Sequence, residues 1–260
     1  MDSFFRMVYL YDHSSIGSAD RKICDVLLKN LTRIDNLSLN EVAEMSYTSV
    51  PSVQRVAKTM KYSNFSDLKL SIINELAEYR YKKRSMPLTS ASHGHPYSTE
   101  EYFDYLINKL TEIKMQMRNF PIDALLGEIH AAKRLRIYPS HIIYSWNFLR
   151  IDVVKQGKDF PMFFDFSEQL QDARTLDETC LVIMVLQPDR HERVDDAQLI
   201  EAIKHAGAKL FIVTAIPTLL YERNADYYFV FNSSNSLTDT EMMNAIAYAI
   251  REGYRRKYTD

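Results

Sequence analysis

Residues Ser38–Tyr62 read SLNEVAEMSYTSVPSVQRVAKTMKY, two short helical patterns on either side of a polar break. Ser38 followed three residues later by Glu41 is a capping box, in which each side chain satisfies an orphan backbone N–H where a helix begins. Val42, Ala43 and Met45 are the inward positions of that helix, and Ala43 is small enough to let a second helix cross close by. Ser46, Tyr47 and Thr48 then break the pattern. Thr48 or Ser49 caps the second helix, Pro51 falls in its first turn where a missing N–H costs nothing, and Val53, Val56 and Ala57 mark its buried side. The opposite face carries Ser49, Ser52, Gln54, Arg55 and Lys58, a mix able to hydrogen-bond phosphates and base edges, with no acidic residue among them to repel the backbone. This predicts a helix-turn-helix that reads double-stranded DNA. Ser49 and Gln54 are expected at bases, with Ser52, Arg55, Lys58 and the later Lys69 at phosphates.

Working outward, the 260 residues suffice for one large domain or two smaller ones, and 46% hydrophobic with 25% charged residues is the balance of a folded globular protein. The net charge of −2 is unevenly divided: residues 1–85 hold 13 Lys and Arg against 10 Asp and Glu, and the remainder 19 against 24. The basic excess sits with the helix-turn-helix. It is modest, so charge permits nucleic-acid binding without demanding it. Cys24 and Cys180 stand far apart with no ligand-like spacing, so no disulfide framework, structural metal or cofactor is expected. The apolar run at the N-terminus is too short for a signal peptide and no later window approaches the length that spans a bilayer, so a cytoplasmic protein without a membrane partner is expected.

Residues 1–83 read as an all-helical domain, and residues 84–98, RSMPLTSASHGHPYS, lose all periodicity and form a linker. Asn64 or Ser66 is expected to cap a helix carrying Leu68, Leu70, Ile72, Ile73 and Leu76. His93 and His95 flank Gly94 in the linker, but no third ligand lies near enough in sequence for a metal site. Ser98 with Glu101 forms a second capping box, opening a domain over residues 99–260 with Tyr102, Tyr105, Leu106 and Leu110 inward. Five apolar runs follow: Leu135–Tyr138, Met162–Phe164, Leu181–Leu186, Leu210–Val213 and Tyr227–Phe231. Helical stretches such as Ile142–Val154, Ala197–His205 and Thr238–Tyr258 lie between or after them, with Gly157 and Gly207 suited to stopping two of these. Near-continuous apolar strands alternating with helices predict a three-layer α/β domain built on a five-stranded parallel sheet.

An open parallel sheet binds ligands beyond the carboxyl ends of its strands. Ser140 and His141 follow the first run, and Arg190 and His191 follow the third. With six glycines in the chain there is no GxGxxG or GxxxxGK[ST] phosphate cradle, so these four side chains are left to hold a small-molecule effector such as a sugar phosphate or another anion. The competing reading of the second loop is a solvated, self-compensating charge cluster, because Arg190, His191 and Arg193 lie among Asp189, Glu192, Asp195 and Asp196. His130 and His205 read as structural helix residues and Trp146 as core. No HExxH, GxSxG or CxxC occurs, and no nucleophile pairs with a base by spacing, so no catalytic residue is assigned and an enzyme is not expected.

These residues carry a resemblance. The stretch EVAEMSYTSVPSVQRVAKTMKYSNFSDLKL resembles, without gaps, the helix-turn-helix of the RpiR family of bacterial transcriptional regulators. Ser49, Ser52, Val53 and Arg55 fall on its recognition-helix pattern, with Tyr62, Phe65 and Lys69 on the aromatic and basic positions that trail it. Lys61 stands where that family usually ends the helix with glycine, a substitution that costs about 1 kcal/mol where the backbone is left-handed. The second half resembles the family's sugar isomerase (SIS) domain through HAGAKLFIVTA and LLYERNADYYFVF. Its loops depart from the Gly-x-Gly-x-Ser and Ser-x-Ser-Gly-x-Thr patterns, with Tyr138, Pro139, Ser140, His141 in the first place and Leu186, Gln187, Pro188, Asp189, Arg190, His191 in the second. The resemblance implies a DNA-binding regulator working as a homodimer or homotetramer, with a phosphosugar effector that the altered loops put in question. The alternative expectation is an SIS-fold sugar-phosphate isomerase or binding protein whose helical N-terminus does not bind DNA.

Overall fold

The computed structural model describes residues 3–85, 99–140, 144–186, 194–231 and 238–259. Of the sequence expectations, those on His93, His95, Ser98, His141, Arg190 and His191 lie outside these residues. The chain divides into two compact units, Met1–Met86 and Pro87–Asp260.

The first unit is all helical: α1 (Ser3–His13), α2 (Ala19–Lys29), a 3-10 turn at Leu31–Asn36, α3 (Leu39–Met45), α4 (Val50–Thr59) and α5 (Phe65–Ser85). Its core gathers Met7, Ile23, Leu27, Val42, Val56 and Leu68, one or two from each helix and all essentially free of solvent contact. Met45 and Leu70 face outward instead, 39% and 59% exposed, because periodicity alone does not say where a narrow apolar stripe ends. The bundle is closed by Glu75 of α5. Its carboxylate accepts from the Ser3 N–H at 2.5 Å, the Ser3 hydroxyl at 2.7 Å and the Phe4 N–H at 2.9 Å, satisfying two orphan donors of α1 from 72 residues further along the chain. Asn64 caps α5 by accepting from the Asp67 N–H at 3.0 Å.

The second unit runs α6 (Thr99–Asn119), α7 (Ile122–Ala131), β1 (Arg134–Pro139), α8 (Trp146–Val154), α9 (Phe166–Ala173), β2 (Cys180–Leu186), α10 (Val194–His205), β3 (Lys209–Thr214), α11 (Leu219–Asn224), β4 (Tyr227–Val230) and α12 (Asp239–Tyr258). The strands form one parallel sheet in the order β1-β2-β3-β4. Successive strand residues point to opposite faces and both faces are covered, which is why the strands read as unbroken apolar runs. Leu135, Ile183, Phe211 and Phe229 pack with α7, α8 and α12, while Val182, Met184, Leu210 and Ile212 pack with α10 and α11. Trp146 is fully buried in the first layer. Gly157 and Gly207 take φ of 78° and 75° just beyond α8 and α10, where a left-handed residue ends the helix without steric cost.

The sheet has four strands among the described residues, not five. The expected strand at Met162–Phe164 is an irregular edge beside β1, touching it only through the bridges Arg134↔Asp159 and Ile137↔Met162. Three ladder bonds form: Leu135 N–H to the Asp159 carbonyl at 2.9 Å, Ile137 N–H to Pro161 at 3.2 Å, and Phe163 N–H to Ile137 at 3.1 Å. The bond that residue 161 would donate to the Leu135 carbonyl has no donor, because Pro161 lacks an N–H. Arg136 fills that place. Its Nη1 donates to the Leu135 carbonyl at 2.9 Å and to Asp159 at 2.8 Å, and its Nε to both Asp172 oxygens at 2.8 and 3.2 Å. Arg136 is only 5% exposed, so this is a buried cation whose hydrogen bonds repair a sheet edge. The Tyr138 hydroxyl donates to Asp172 at 2.6 Å, and burial followed by that carboxylate pushes its pKa far above the usual phenol range.

Candidate nucleic-acid interface

The helix-turn-helix is set by local bonds that its sequence dictates. Ser38 Oγ accepts from the Glu41 N–H at 3.2 Å while the Glu41 carboxylate accepts from the Ser38 N–H at 2.8 Å, so the capping box is complete. These bonds hold the Glu41 carboxyl below its usual pKa. In the turn, buried Ser46 donates to the Val42 carbonyl at 2.6 Å and lies 2.8 Å from the Thr48 hydroxyl, which fixes the exit from α3. Ser49 then caps α4, accepting from the Ser52 N–H at 3.4 Å, with Pro51 in the first turn. Val53, Val56 and Ala57 of α4 are buried.

That burial leaves Pro51, Arg55 and Lys58 exposed at spacings of four and three, which places them on one face of α4. Arg55 is 63% exposed and only 3.7 Å from Asp20, a loose surface pair worth little and readily exchanged for a phosphate. Ser49 is exposed and its hydroxyl lies 3.0 Å from that of half-buried Ser52, so both stand at the leading end of this face.

Two of the six expected DNA contacts also make hydrogen bonds within the unit. Gln54 Oε1 accepts from the Phe65 N–H at 3.0 Å, so Gln54 ties α4 to the start of α5 through its carbonyl oxygen. Lys69 donates to the Leu37 carbonyl at 2.9 Å and is half-buried, linking α5 to the segment before α3. Both contacts join residues far apart in sequence, which periodicity cannot reveal. Gln54→Ala is therefore expected to lower the stability of the helical unit by about 1 kcal/mol, read as a lower midpoint in thermal unfolding by circular dichroism.

Left-handed backbone falls at the helix ends, at Lys61, where the sequence reading looked for it, and at Tyr47, where it did not. Tyr47 and Lys61 have φ of 51° and 68°, the two non-glycine residues with positive φ among those described. Both are exposed, Tyr47 to 91%.

In the second unit the edge segment lies on one side of β1 and β2 on the other, so the strand order reverses at β1. Such a switch point opens a crevice at the carboxyl ends of β1 and β2, which are Pro139 and Leu186. Ser140, just past β1, is 8% exposed and its N–H donates to the Val185 carbonyl at 2.9 Å. Gln169 closes the same end of β1 by donating to the Pro139 and Phe163 carbonyls at 3.2 and 2.7 Å.

Residues 11–79 match the family model described as the helix-turn-helix domain, rpiR family. The N-terminal unit is an RpiR-type helix-turn-helix domain. No curated protein matches the chain. Among solved structures, the chain is similar to the Vibrio vulnificus NanR protein complexed with ManNAc-6P, at 13% identity over 99% of this chain and 92% of that one, with a TM-score of 0.47. The sugar isomerase domain of an RpiR transcription factor from Sphaerobacter thermophilus overlaps 60% of this chain and 90% of its own at 14% identity and a TM-score of 0.47. A Methanococcus jannaschii protein, for which a 3-hexulose-6-phosphate isomerase function was inferred, covers the same share of this chain and 90% of its own at 15% identity and a TM-score of 0.47. The matched span contains α3 and α4, the two helices joined by the tight turn. Among the described residues, no helix is long and apolar enough to cross a membrane.

Proposed function

We propose that this chain is a sequence-specific DNA-binding transcriptional regulator, with α4 entering the major groove and the α/β unit governing assembly and effector response. The observation that carries the reading is a capped α3–turn–α4 pair, within the RpiR family match, whose second helix is led by exposed Ser49, turns Arg55 and Lys58 outward and has no acid of its own. Cationic and hydroxyl side chains on a groove-entering helix position the protein on phosphates and reach base edges. Selection of duplexes from a random-sequence pool by the full chain tests it. Enrichment of a defined site supports the reading, and failure to enrich any sequence at low salt sinks it.

Recognition of a two-fold site calls for two copies, with half-sites about 34 Å or a multiple of that apart. The α/β unit offers a surface for such pairing. Phe148 and Ile151 of α8 and Tyr248 of α12 are 43%, 50% and 43% exposed, and the Phe148 and Tyr248 rings lie 5.7 Å apart, a contiguous apolar patch suited to a second copy. Sedimentation equilibrium of the full chain and of Ile151→Asp separates a dimer through this face from a monomer. For the effector, the reading places a small anion at the β1/β2 switch point, with Ser140, His141, Arg190 and His191 as the side chains nearest in sequence. Thermal shift with sugar phosphates, lost in His191→Ala, tests the site, and an isomerase assay on the same ligands tests the enzyme alternative.

A further inference from the structure

Both helices of the DNA-reading pair end in the same bonded turn. At the end of α3, the Tyr47 N–H donates to the Glu44 carbonyl at 3.0 Å and the Thr48 N–H to Ala43 at 2.9 Å. At the end of α4, the Lys61 N–H donates to Lys58 at 2.9 Å and the Tyr62 N–H to Ala57 at 3.0 Å. Each is a Schellman turn, and the left-handed residue at its centre is ordinarily glycine, because a Cβ there crowds the neighbouring carbonyl oxygen. Elsewhere the chain does use glycine where the backbone is left-handed, at Gly17, Gly157 and Gly207. Only at the two ends of the turn–α4 segment does a large side chain stand in that strained position among the described residues.

The fold gains little from the first of them. A single exposed aromatic needs no explanation by itself, but Tyr47 combines 91% exposure with φ of 51°, so its ring leaves the backbone strain uncompensated by burial. Strain retained without a packing return points to a use outside the fold. Tyr47 lies two residues before Ser49, the residue that caps α4. In a helix-turn-helix that end of the second helix approaches the bases, which places the turn at the lip of the groove where phosphates run. A tyrosine hydroxyl is a suitable phosphate donor.

We infer that Tyr47 contacts the DNA backbone, its hydroxyl donating to a phosphate at the mouth of the groove that α4 enters. Lys61 is its counterpart beyond the other end of the ten-residue helix, which is itself about 15 Å long, as a cation for a second phosphate. Glycine at either position would relieve the strain and give up the contact. The inference rests on the DNA-binding reading.

The test uses the full chain and the duplex that the wild type selects. Tyr47→Gly and Tyr47→Phe are each expected to bind about tenfold more weakly, on selected and random duplexes alike, since a phosphate contact carries no sequence information. Tyr47→Gly is expected to do so while its melting temperature rises by a few degrees, which excludes misfolding as the cause. Lys61→Gly is expected to flatten the slope of log affinity against log salt by about one. Wild-type affinity in both Tyr47 variants overturns the contact, and an unchanged salt slope overturns the role of Lys61. A wild type that selects no duplex overturns the DNA-binding reading itself, a result distinct from either.

Discussion

The variant carrying both Arg55→Ala and Lys58→Ala is expected to bind its selected duplex roughly a hundredfold more weakly than the wild type, each lost charge-assisted bond to DNA accounting for about tenfold. Both side chains are exposed on the outward face of α4, and neither is needed by the core beneath them, which is built from Val53, Val56 and Ala57. Thermal stability is therefore expected to stay within about 0.5 kcal/mol of the wild type. Because Arg55 and Lys58 are cations, the deficit should shrink as salt rises and the slope of log affinity against log salt should fall by about two. Fluorescence anisotropy across a salt series checks both statements. An affinity unchanged at low salt would remove α4 as the DNA-facing helix.

The largest expected stability effect lies in the other unit. Arg136→Met is expected to destabilise the α/β unit by about 3 kcal/mol, because the buried guanidinium balances Asp172 and the Leu135 carbonyl at once. Removing it leaves a nearly buried carboxylate with the Tyr138 hydroxyl but no cation, and a strand carbonyl without its donor. The chain contains one tryptophan, and Trp146 is fully buried in this unit. Its fluorescence therefore follows the unfolding of the α/β unit and not that of the helical one. In urea the tryptophan midpoint is expected to fall by about 1 to 2 M. A midpoint within experimental error of the wild type would show that Met packing offsets the lost ion pair.

The division between what the sequence disclosed and what it did not follows the range of the interactions concerned. Ser38, Glu41 and Ser49 cap helices through bonds that span three residues, so a short window contains the whole cause and the helix boundaries around them were legible. The layering of the second unit was legible for a similar reason, since apolar runs buried on both faces leave a pattern of their own. The bonds that Gln54 and Lys69 make within the fold were not legible, because their partners, Phe65 and Leu37, lie 11 and 32 residues away and meet them only in the folded unit. The apolar run at Met162–Phe164 resembled a strand, and the proline beside it was the clue that its ladder would be incomplete. Short helices such as α9 and α11, at eight and six residues, offer too few turns for periodicity to separate them from loop. Tyr47 was hidden most completely: its handedness belongs to the turn that closes α3, and its residue type argues against that handedness.

The irregular strip beside β1 bears on a different matter, the behaviour of the protein when crowded. A sheet margin with a full row of free amide and carbonyl groups is a template on which a second chain can add a strand, the first step of ordered aggregation. Here the strip is irregular and its Phe160 carbonyl already accepts from the Arg150 Nε at 2.8 Å, while at the opposite margin β4 is only four residues long. Neither border gives a neighbouring polypeptide a regular ladder to extend. Encounters between copies of this unit are thereby channelled to its helical faces, where contacts are made by side chains and can be reversed.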